Sequence, residues 1–284
     1  MKNLIITCSD AKFGDFTIMH WLQSLKANAD LSRTEIVILD YGLSAAQLER
    51  LSREPVRVVP CVRDGHVISI RLRDMAAFLR KNRYGQVLAV DGGDIIFQAG
   101  IDELFSINPG EFRVVCEDFN VPFEKFFTRN FFRPEDVRKI RSELKGRPMV
   151  NAGVIAGPYK KFLALCTECD ALLVDKSSFG PDQVAVNYVL YRAGFVDVGA
   201  RFNFVCTTCE TPFMIKGGVF CLSDGRPISI VHNAGYSVWF RPVDNFGFGP
   251  GHNRIKPLTY LAVRLATKAM HVAFRVFSPA GARH

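Results

Sequence analysis

The sequence predicts an α/β fold in which helices flank a mixed, mostly parallel sheet. Short apolar runs that end in polar residues recur along the chain, first at 3–10 and again at 35–42. Runs of this kind are typical of buried parallel strands. The segments that follow them carry apolar residues at helical spacing, and strand alternating with helix indicates a layered α/β domain.

The other elements continue this alternation. We predict strands at 3–10, 35–42, 56–60, 86–98, 112–118 and 150–157, and an acidic, Gly-rich turn interrupts the strand at 86–98. We predict helices at 16–29, 43–52, 74–82, 134–144, 160–175, 182–190 and 258–277. Ser44 is a favoured helix cap and Pro134 a favoured first-turn residue, so both mark helix starts.

Composition is that of a globular protein. The chain has 284 residues, of which 48% are hydrophobic and 23% charged, and this excludes disordered and collagen-like classes. The apolar run near the N-terminus is too short for a signal peptide or a spanning helix, so we expect a cytoplasmic protein. In a reducing compartment the eight cysteines are expected to be thiols or metal ligands.

Positive charge is concentrated near the C-terminus. Residues 1–244 carry 30 Lys and Arg against 28 Asp and Glu, whereas the rest has six basic residues and no acidic one. We therefore divide the chain into a main domain at 1–245 and a basic tail at 246–284.

The tail is predicted to contain an amphipathic helix. At about 100° per residue, its basic residues fall within an arc of roughly 60°, and these are Arg264, Lys268, His271 and Arg275. A narrow basic face beside a wide apolar one is typical of a helix at an anionic membrane surface. The alternative is a terminal helix that packs on the domain and leaves a solvated basic stripe. The main domain has no matching basic excess, so no nucleic-acid partner is expected.

Candidate functional residues lie where the predicted strands end, because ligands of open α/β sheets bind at the carboxyl ends of the strands. They are Thr7, Ser9, Asp10, Asp91, Asp94, Asn151 and His232.

Asp91-Gly92-Gly93-Asp94 is the strongest local signal for a metal. Two carboxylates at a strand tip, with glycines that let the backbone approach a ligand, suit Mg²⁺ or Mn²⁺ with attached phosphate. An ordinary turn is the alternative, because Asp and Gly are common turn residues. A lone His232 is more often a core or surface imidazole, and it becomes a metal ligand if the fold brings it to the Asp pair.

Two further segments supply neutral amides and one carboxylate. Asn151-Ala152-Gly153 opens a predicted strand, and Pro181-Asp182-Gln183 opens a predicted helix. Amides hydrogen-bond sugar hydroxyls without bringing charge. Helix capping is the alternative for Pro181 and Asp182, and it explains Gln183 less well.

Two CxxC pairs raise the question of a structural zinc site, and they are Cys166 with Cys169 and Cys206 with Cys209. The separation of the pairs is longer than in the usual zinc ribbon. The first pair also lies in a predicted helix, where both thiols can pack as small hydrophobic groups.

The order of these motifs resembles the retaining glycosyltransferases of family 8 and their relatives, which have the GT-A fold. The resemblance spans residues 3–240, and its motifs are TCSDAKFGD at 7–15, IRLRDM at 70–75, VLAVDGGDIIF at 87–97, VNAGVIAG at 150–157, PDQVAVN at 181–187, FNFV at 202–205 and IVHNAG at 230–235.

This resemblance implies roles for particular residues. Mn²⁺ or Mg²⁺ and the diphosphate of a UDP-sugar are expected at a metal set of Asp91, Asp94 and His232. The resemblance implies that Asp10 and Phe13 lie near the uracil, Asn151 and Asp182 contact the donor sugar, and Gln183 lies beside the reacting face, with Asp182 and Gln183 as the catalytic candidates. The other substrate-binding candidates are Thr7, Ala152, Gly235 and one of Arg71 and Arg73.

The chain departs from the family pattern in two places. The usual acidic motif has one residue between its carboxylates, whereas Gly92 and Gly93 make two here. Asp94 is therefore the better match to a metal ligand, and Asp91 has a ribose contact or a water-mediated contact as its alternative. The late motif continues as GYSVW at 235–239 and lacks the Lys-Pro-Trp that often follows the His, so we expect the loss of one cationic contact to the diphosphate.

The expected function is a metal-dependent, retaining glycosyltransferase that uses a nucleotide-sugar and a glycan or glycolipid acceptor in cell-surface polysaccharide or lipopolysaccharide synthesis, on the inner face of the plasma membrane. One alternative is a sugar-phosphate nucleotidyltransferase. Such enzymes usually have a Gly-rich phosphate loop after the first strand, whereas residues 7–15 of this chain contain no glycine cluster. The other is a catalytically inactive nucleotide-sugar-binding scaffold, in which the second glycine has spoiled the metal site.

Overall fold

One seven-stranded sheet organises the molecule. The computed structural model describes residues 1–119, 123, 127, 130–235 and 241–277, with side chains as far as residue 273. Its strands are β1 (Asn3–Ser9), β2 (Thr34–Asp40), β3 (Arg57–Pro60), β4 (Gln86–Val90), β5 (Ile95–Phe97), β6 (Phe112–Val114), β7 (Val154–Pro158), β8 (Phe195–Asp197), β9 (Phe213–Lys216), β10 (Val219–Leu222), β11 (Ile230–His232), β12 (Val243–Asp244) and β13 (Arg254–Ile255).

The sheet has the order β3-β2-β1-β4-β7-β6-β8, and β7 runs antiparallel to both its neighbours while the other strands are parallel to one another. The predicted mostly parallel sheet is confirmed. The carboxyl ends of β1, β4 and β6 therefore share one edge with the beginning of β7. The pairs β5–β11, β9–β10 and β12–β13 form separate small sheets, and β12–β13 spans the predicted boundary at 245.

The helices are α1 (Ala11–Phe16), α2 (Gln23–Asn28), α3 (Ala45–Leu51), α4 (Val67–Lys81), α5 (Glu103–Ser106), α6 (Pro134–Leu144), α7 (Tyr159–Leu172), α8 (Pro181–Ala193) and α9 (Pro257–Phe277). A π-helical turn at Thr17–Leu22 joins α1 to α2. Ser44 and Gln47 form a capping box at α3, and Pro134 opens α6, as predicted. The structure corrects the start of α4, which lies at Val67 rather than 74.

Side chains that alternate along the strands pack into two hydrophobic cores, one on each face of the sheet. Leu4 and Ile6 of β1 pack in the core that includes residues of α4, α7 and α8, whereas Ile5 packs on the opposite side with Trp21 and Leu22. The strand predicted from 150 begins only at Val154. The side chain of Asn187 accepts a hydrogen bond from the N–H of Val150 and donates one to its carbonyl. The backbone of Val150 is therefore bonded to α8.

The C-terminal helix α9 turns its polar side toward the protein. Arg264 donates to the carbonyls of Cys206 and Cys209, at 3.3 and 2.8 Å. Lys268 lies 4.7 Å from the ring centre of Phe119. The predicted helix is confirmed, and it contacts the main domain as the alternative has it, but Arg264 and Lys268 contact backbone carbonyls and an aromatic face instead of forming a fully solvated stripe.

The outward side of α9 is apolar. We call it the apolar ridge, and its exposed residues are Leu258, Leu261, Ala262, Leu265, Ala266, Ala269, Met270, Val272 and Ala273. Arg275 is helical, but its side chain lies outside the described ones. Within the described part of the chain, no helix is long and apolar enough to cross a membrane.

Candidate active site

Four polar residues follow one another across the shared edge of the sheet. Asp10 follows the end of β1, Asp91 follows β4, Asn151 precedes β7, and Glu117 lies beyond the end of β6. Three of them are residues that the sequence predicts. Glu117 is one that sequence reasoning missed.

The predicted metal set converges. Asp91, Asp94 and His232 each offer a ligand atom, and these atoms lie within 4.8 Å of one another, the one such group among the described residues. Antiparallel pairing of β5 with β11 brings His232 opposite Ile95, next to Asp94. Two carboxylates and an imidazole fit a divalent cation such as Mn²⁺ or Mg²⁺ by donor type.

Asp94 and His232 are electrostatically linked. Asp94 Oδ1 lies 3.4 Å from His232 Nε2. Burial alone raises the pKa of Asp94, but His232, Arg241 and Arg71 outweigh it and hold that pKa below its usual value. Burial lowers the pKa of His232, yet the attraction of Asp94 raises it overall.

A neighbouring amide orients the imidazole. Nδ1 of His232 lies 3.0 Å from Oδ1 of Asn203, which can only accept a hydrogen bond. That contact fixes the proton on Nδ1 and leaves the lone pair of Nε2 free for a metal. Asn203 stands in the FNFV motif, but nothing local in the sequence marks it as a partner of the imidazole.

Tight packing accounts for the glycines of the site. A Cβ on Gly92 would lie 2.7 Å from Oγ1 of Thr7, and one on Gly93 would lie 2.7 Å from the ring of Phe13. A Cβ on Gly153 would lie 2.4 Å from Cε1 of His232. The extra glycine of the acidic turn thus lets the turn pass against β1 and α1 while both carboxylates still reach the metal set.

Arg71 is the arginine that reaches the site. Its guanidinium pairs with Asp91 and lies 3.6 Å from Oδ2 of Asp182. Arg73 points away and pairs with Asp64 and Asp74, at 2.7 and 2.9 Å. Of the two arginines, Arg71 is therefore the one that lies at the candidate site.

Asp182 is a buried carboxylate with acceptor capacity left. Burial raises its pKa to about 6, although Arg71 opposes this. Its Oδ1 has no hydrogen-bond partner among the described residues. The N-cap of α8 is Gly180, so Asp182 lies within the first turn rather than at the cap.

Gln183 is engaged with the backbone on both sides of Asn151. Its Nε2 donates to the carbonyl of Val150, and its Oε1 accepts from the N–H of Ala152 at 3.2 Å. This side chain therefore holds the segment that carries Asn151.

Asn151 connects two parts of the site. Its Nδ2 donates to Glu117 at 2.6 Å, and its Oδ1 accepts from Asn203 at 3.0 Å. A chain of side-chain contacts consequently runs from Glu117 through Asn151 and Asn203 to His232.

The β1 edge of the site is built by Asp10. Its Oδ1 accepts from the N–H groups of Lys12 and Phe13 and so caps α1, while Oδ2 lies 3.0 Å from Arg63. Thr7, beside Gly92, has a buried hydroxyl with no partner in the described part of the chain.

Arg241 supplies a cation that sequence reasoning missed. Its Nη2 lies 2.9 Å from Oδ2 of Asp94, and its Nε donates to the carbonyl of Gly235 at 3.2 Å. A basic side chain therefore lies beside the late motif, although the motif itself lacks the Lys-Pro-Trp. The available signal was the basic residue followed by proline at 241–242, beyond the GYSVW segment, of which 236–239 lie outside the described residues.

The four CxxC cysteines do not assemble. Cys166 and Cys169 pack in the core beside α4 and α8, whereas Cys206 and Cys209 pack in a separate cluster around Phe204. Burial raises the pKa of Cys166 and of Cys206 to about 12, which favours the neutral thiol over a metal-binding thiolate. The zinc hypothesis is wrong for these described residues, and the packing alternative holds.

No protein-family model and no curated protein matches the chain. Among solved structures it resembles the galactosyltransferase LgtC in complex with donor and acceptor sugar analogues, at 16% identity over 96% of this chain and 99% of that one, with a TM-score of 0.54. It also resembles the bifunctional glycosyltransferase WbbM in its apo form, at 15% identity over 95% of this chain and 52% of that one, with a TM-score of 0.55. GlyE of Streptococcus pneumoniae TIGR4 matches at 14% identity over 100% of this chain and 66% of that one, with a TM-score of 0.53. The chain thus shares the fold of these glycosyltransferases, which is the GT-A fold that the order of its motifs predicts.

Proposed function

We propose that the protein is a metal-dependent glycosyltransferase that moves a sugar from a UDP-sugar to a glycan or glycolipid with retention of configuration. The observation that carries the proposal is the convergence of Asp91, Asp94 and His232 within 4.8 Å at the edge of a GT-A sheet. LgtC, which shares this fold, was solved with donor and acceptor sugar analogues.

The nucleotide is proposed to bind at the β1 edge, near Asp10, Phe13 and Thr7. The donor sugar is proposed to bind between Asn151 and Asp182. Two buried atoms support this arrangement, because Oγ1 of Thr7 and Oδ1 of Asp182 lack partners among the described residues. Buried polar groups are nearly always hydrogen-bonded, so groups of the donor are the partners we expect.

A divalent cation at Asp91, Asp94 and His232 would neutralise charge on the departing diphosphate. Arg241 already pairs with Oδ2 of Asp94, while Oδ1 lies nearest His232, so a cation and the guanidinium would share one carboxylate. We propose that Arg241 turns to the diphosphate when the donor is bound. This would restore a cationic contact near the late motif.

Gln183 is proposed to position the donor sugar through its two hydrogen bonds to the backbone on either side of Asn151. Its amide is a poor nucleophile and is already bonded on both sides. We therefore propose that the bond from the anomeric carbon to the diphosphate breaks as the acceptor oxygen bonds on the same face. The proton of the acceptor hydroxyl passes to the departing diphosphate.

Membrane association is proposed through the apolar ridge of α9. Leu258, Leu261 and Leu265 are 83, 53 and 57% exposed, which is unusual for leucines that share one helix face. The ridge would enter the headgroup region of an anionic membrane, where a glycolipid acceptor lies. We accordingly propose a peripheral enzyme of the inner face of the plasma membrane that acts in cell-surface polysaccharide or lipopolysaccharide synthesis.

UDP release from a panel of UDP-sugars with Mn²⁺, with and without simple glycosides, tests the proposal. Wild-type protein should release UDP, and Asp94→Asn and His232→Ala should lose at least about a hundredfold because the charge on the leaving group is no longer balanced. Asp224→Asn, an exposed carboxylate of the β10 turn, is the control and should match wild type. Activity that survives complete removal of divalent metal would contradict the metal assignment.

A further inference from the structure

Glu117 is the carboxylate of the site that has no cationic partner in the described part of the chain. Asp91 and Asp182 pair with Arg71, and Asp94 pairs with Arg241. Among the described residues, no basic side chain lies within ion-pair distance of Glu117, and the one hydrogen bond to its carboxylate comes from Asn151 at 2.6 Å. A largely buried carboxylate that lacks an ion pair is costly to keep, so it marks a place where a ligand is expected.

The backbone holds Glu117 firmly in position. Its N–H donates to the carbonyl of Met149 at 2.8 Å. The residue before it, Cys116, forms an antiparallel β-bridge with Val150. The backbone N–H of Phe119 donates to the carbonyl of Thr208 at 3.0 Å. The side chain is therefore presented from an anchored segment, as substrate recognition requires.

The strand order places Glu117 on the side of the site away from the nucleotide end. Along the edge, Asp10 at β1 comes first, then Asp91 at β4, Asn151 at β7 and Glu117 at β6. If uracil lies at Asp10 and the diphosphate at Asp91, the transferred sugar lies near Asn151. The next position along the edge is where an acceptor must approach that sugar.

We propose that Glu117 binds a hydroxyl group of the acceptor sugar and orients the acceptor for attack. This inference rests on the proposed glycosyltransferase activity. Asn151 occupies one carboxylate oxygen, and a carboxylate retains further acceptor capacity for a sugar hydroxyl. A hydrogen bond to a charged carboxylate is about twice as strong as one to a neutral group, so the charge favours a hydroxyl donor over bulk water.

The protonation state of Glu117 agrees with this role. Burial raises its pKa to about 6, while Asn151 and His232 oppose the rise and Asp118 adds to it. The carboxylate is therefore mostly ionised, and able to accept, at neutral pH.

Glu117→Gln is the decisive variant, because its amide oxygen can still accept from Asn151 while the charge is lost. We would measure kcat/KM for the best acceptor among methyl glycosides of glucose, galactose and N-acetylglucosamine, and the affinity for UDP with Mn²⁺. The expected result is a fall of about tenfold or more in acceptor kcat/KM, mainly through KM, with UDP affinity unchanged. Asp118→Asn removes the adjacent, exposed carboxylate and should match wild type.

Three results would overturn the inference. The first is a Glu117→Gln variant with wild-type acceptor kinetics. If a Glu117→Leu variant then loses transfer activity, the side chain of Glu117 only positions Asn151. The second is a loss of UDP affinity in parallel with transfer, which would move Glu117 to the donor side. The third is a wild-type chain that transfers to no glycoside. In that case UDP release from the donor alone decides whether the donor half of the proposed function stands.

Discussion

The guanidinium of Arg241 lies 2.9 Å from the carboxylate of Asp94, the candidate metal ligand that best matches the sequence motif. Arg71 holds the other carboxylate, Asp91. Each acidic member of the candidate metal set is thus paired with an arginine from a different part of the chain. Because an arginine and a metal ion compete for the negative charge of the same carboxylate, we expect these pairs to affect how tightly the site binds a cation before the donor arrives.

Arg241→Ala should have opposite effects on metal and nucleotide. Without nucleotide, Mn²⁺ should bind more tightly because a competing positive charge has been removed from Asp94. With Mn²⁺ present, UDP should bind about tenfold more weakly, since a charge-assisted hydrogen bond contributes roughly 1.5–3 kcal/mol. Titration calorimetry measures both affinities, with Arg226→Ala on the β10 turn as the control. Unchanged affinities for both ligands would show that Arg241 does not act on this site.

The choice between Arg71 and Arg73 shows where sequence reasoning ended. The predicted helix began at 74, after both residues, so neither could be assigned a face. Because α4 begins at Val67, both arginines are helical, and residues two apart on a helix point in widely different directions. Arg71 faces Asp91, whereas Arg73 faces Asp64 and Asp74.

Local patterns predicted the strand ends and therefore most of the residues that converge at the candidate metal site. They could not reveal Glu117 or Asn203, because those side chains reach Asn151 from segments far apart in the chain. Periodicity likewise identified the two faces of α9 but not which face is buried. An apolar face usually packs inward, and only the fold shows that carbonyls near Cys206 and the ring of Phe119 receive the basic face instead.

Asp182→Asn should lower turnover far more than nucleotide affinity. The carboxylate is assigned to the donor sugar, and loss of a group that stabilises developing charge typically costs about 10²–10³ in rate. UDP affinity should remain within about twofold of wild type, because UDP carries no sugar for this residue to bind. Single-turnover kinetics and UDP calorimetry measure the two quantities. A parallel fall in both would place Asp182 on the nucleotide instead.

Gln183→Ala should damage both turnover and folding stability. This amide bonds the backbone of Val150 and Ala152, so its loss leaves the N–H of Ala152 without a partner, leaves the carbonyl of Val150 bonded to Asn187 alone, and loosens Asn151. A lost buried hydrogen bond costs about 1–3 kcal/mol of unfolding free energy. The unfolding free energy measured with denaturant and kcat should therefore both fall. In Gln183→Glu, only the hydrogen bond from the N–H of Ala152 should be recovered. A stable but inactive Gln183→Ala variant would instead indicate direct contact with the reacting sugar.

The buried carboxylate of Asp182 should make stability depend on pH. Its pKa rises from 3.8 to about 6 on folding because burial disfavours the charge. The folded state therefore binds the proton more tightly, and the stabilisation present below pH 3.8 is lost as pH rises through about 6. Asp182→Asn removes this titration, so the variant should gain unfolding free energy relative to wild type between pH 4 and 7. A constant difference between the two proteins across this range would contradict the assignment.

If the apolar ridge of α9 contacts the lipid, membrane binding should depend on its leucines and respond little to salt, unlike binding through a basic helix face. Leu261→Ser with Leu265→Ser should weaken binding to vesicles of phosphatidylglycerol and phosphatidylethanolamine about a hundredfold, because burying a leucine contributes roughly 1.5–3 kcal/mol. Raising the salt concentration should have a small effect, since Arg264 and Lys268 face the protein. Arg264→Ala should instead lower the unfolding free energy by about 1–3 kcal/mol, because the carbonyls that it bonds lose their partner, and should leave vesicle binding of the folded protein unchanged. Vesicle binding that disappears in high salt, or that Arg264→Ala weakens as much as the leucine variants do, would show that the cations and not the ridge contact the lipid.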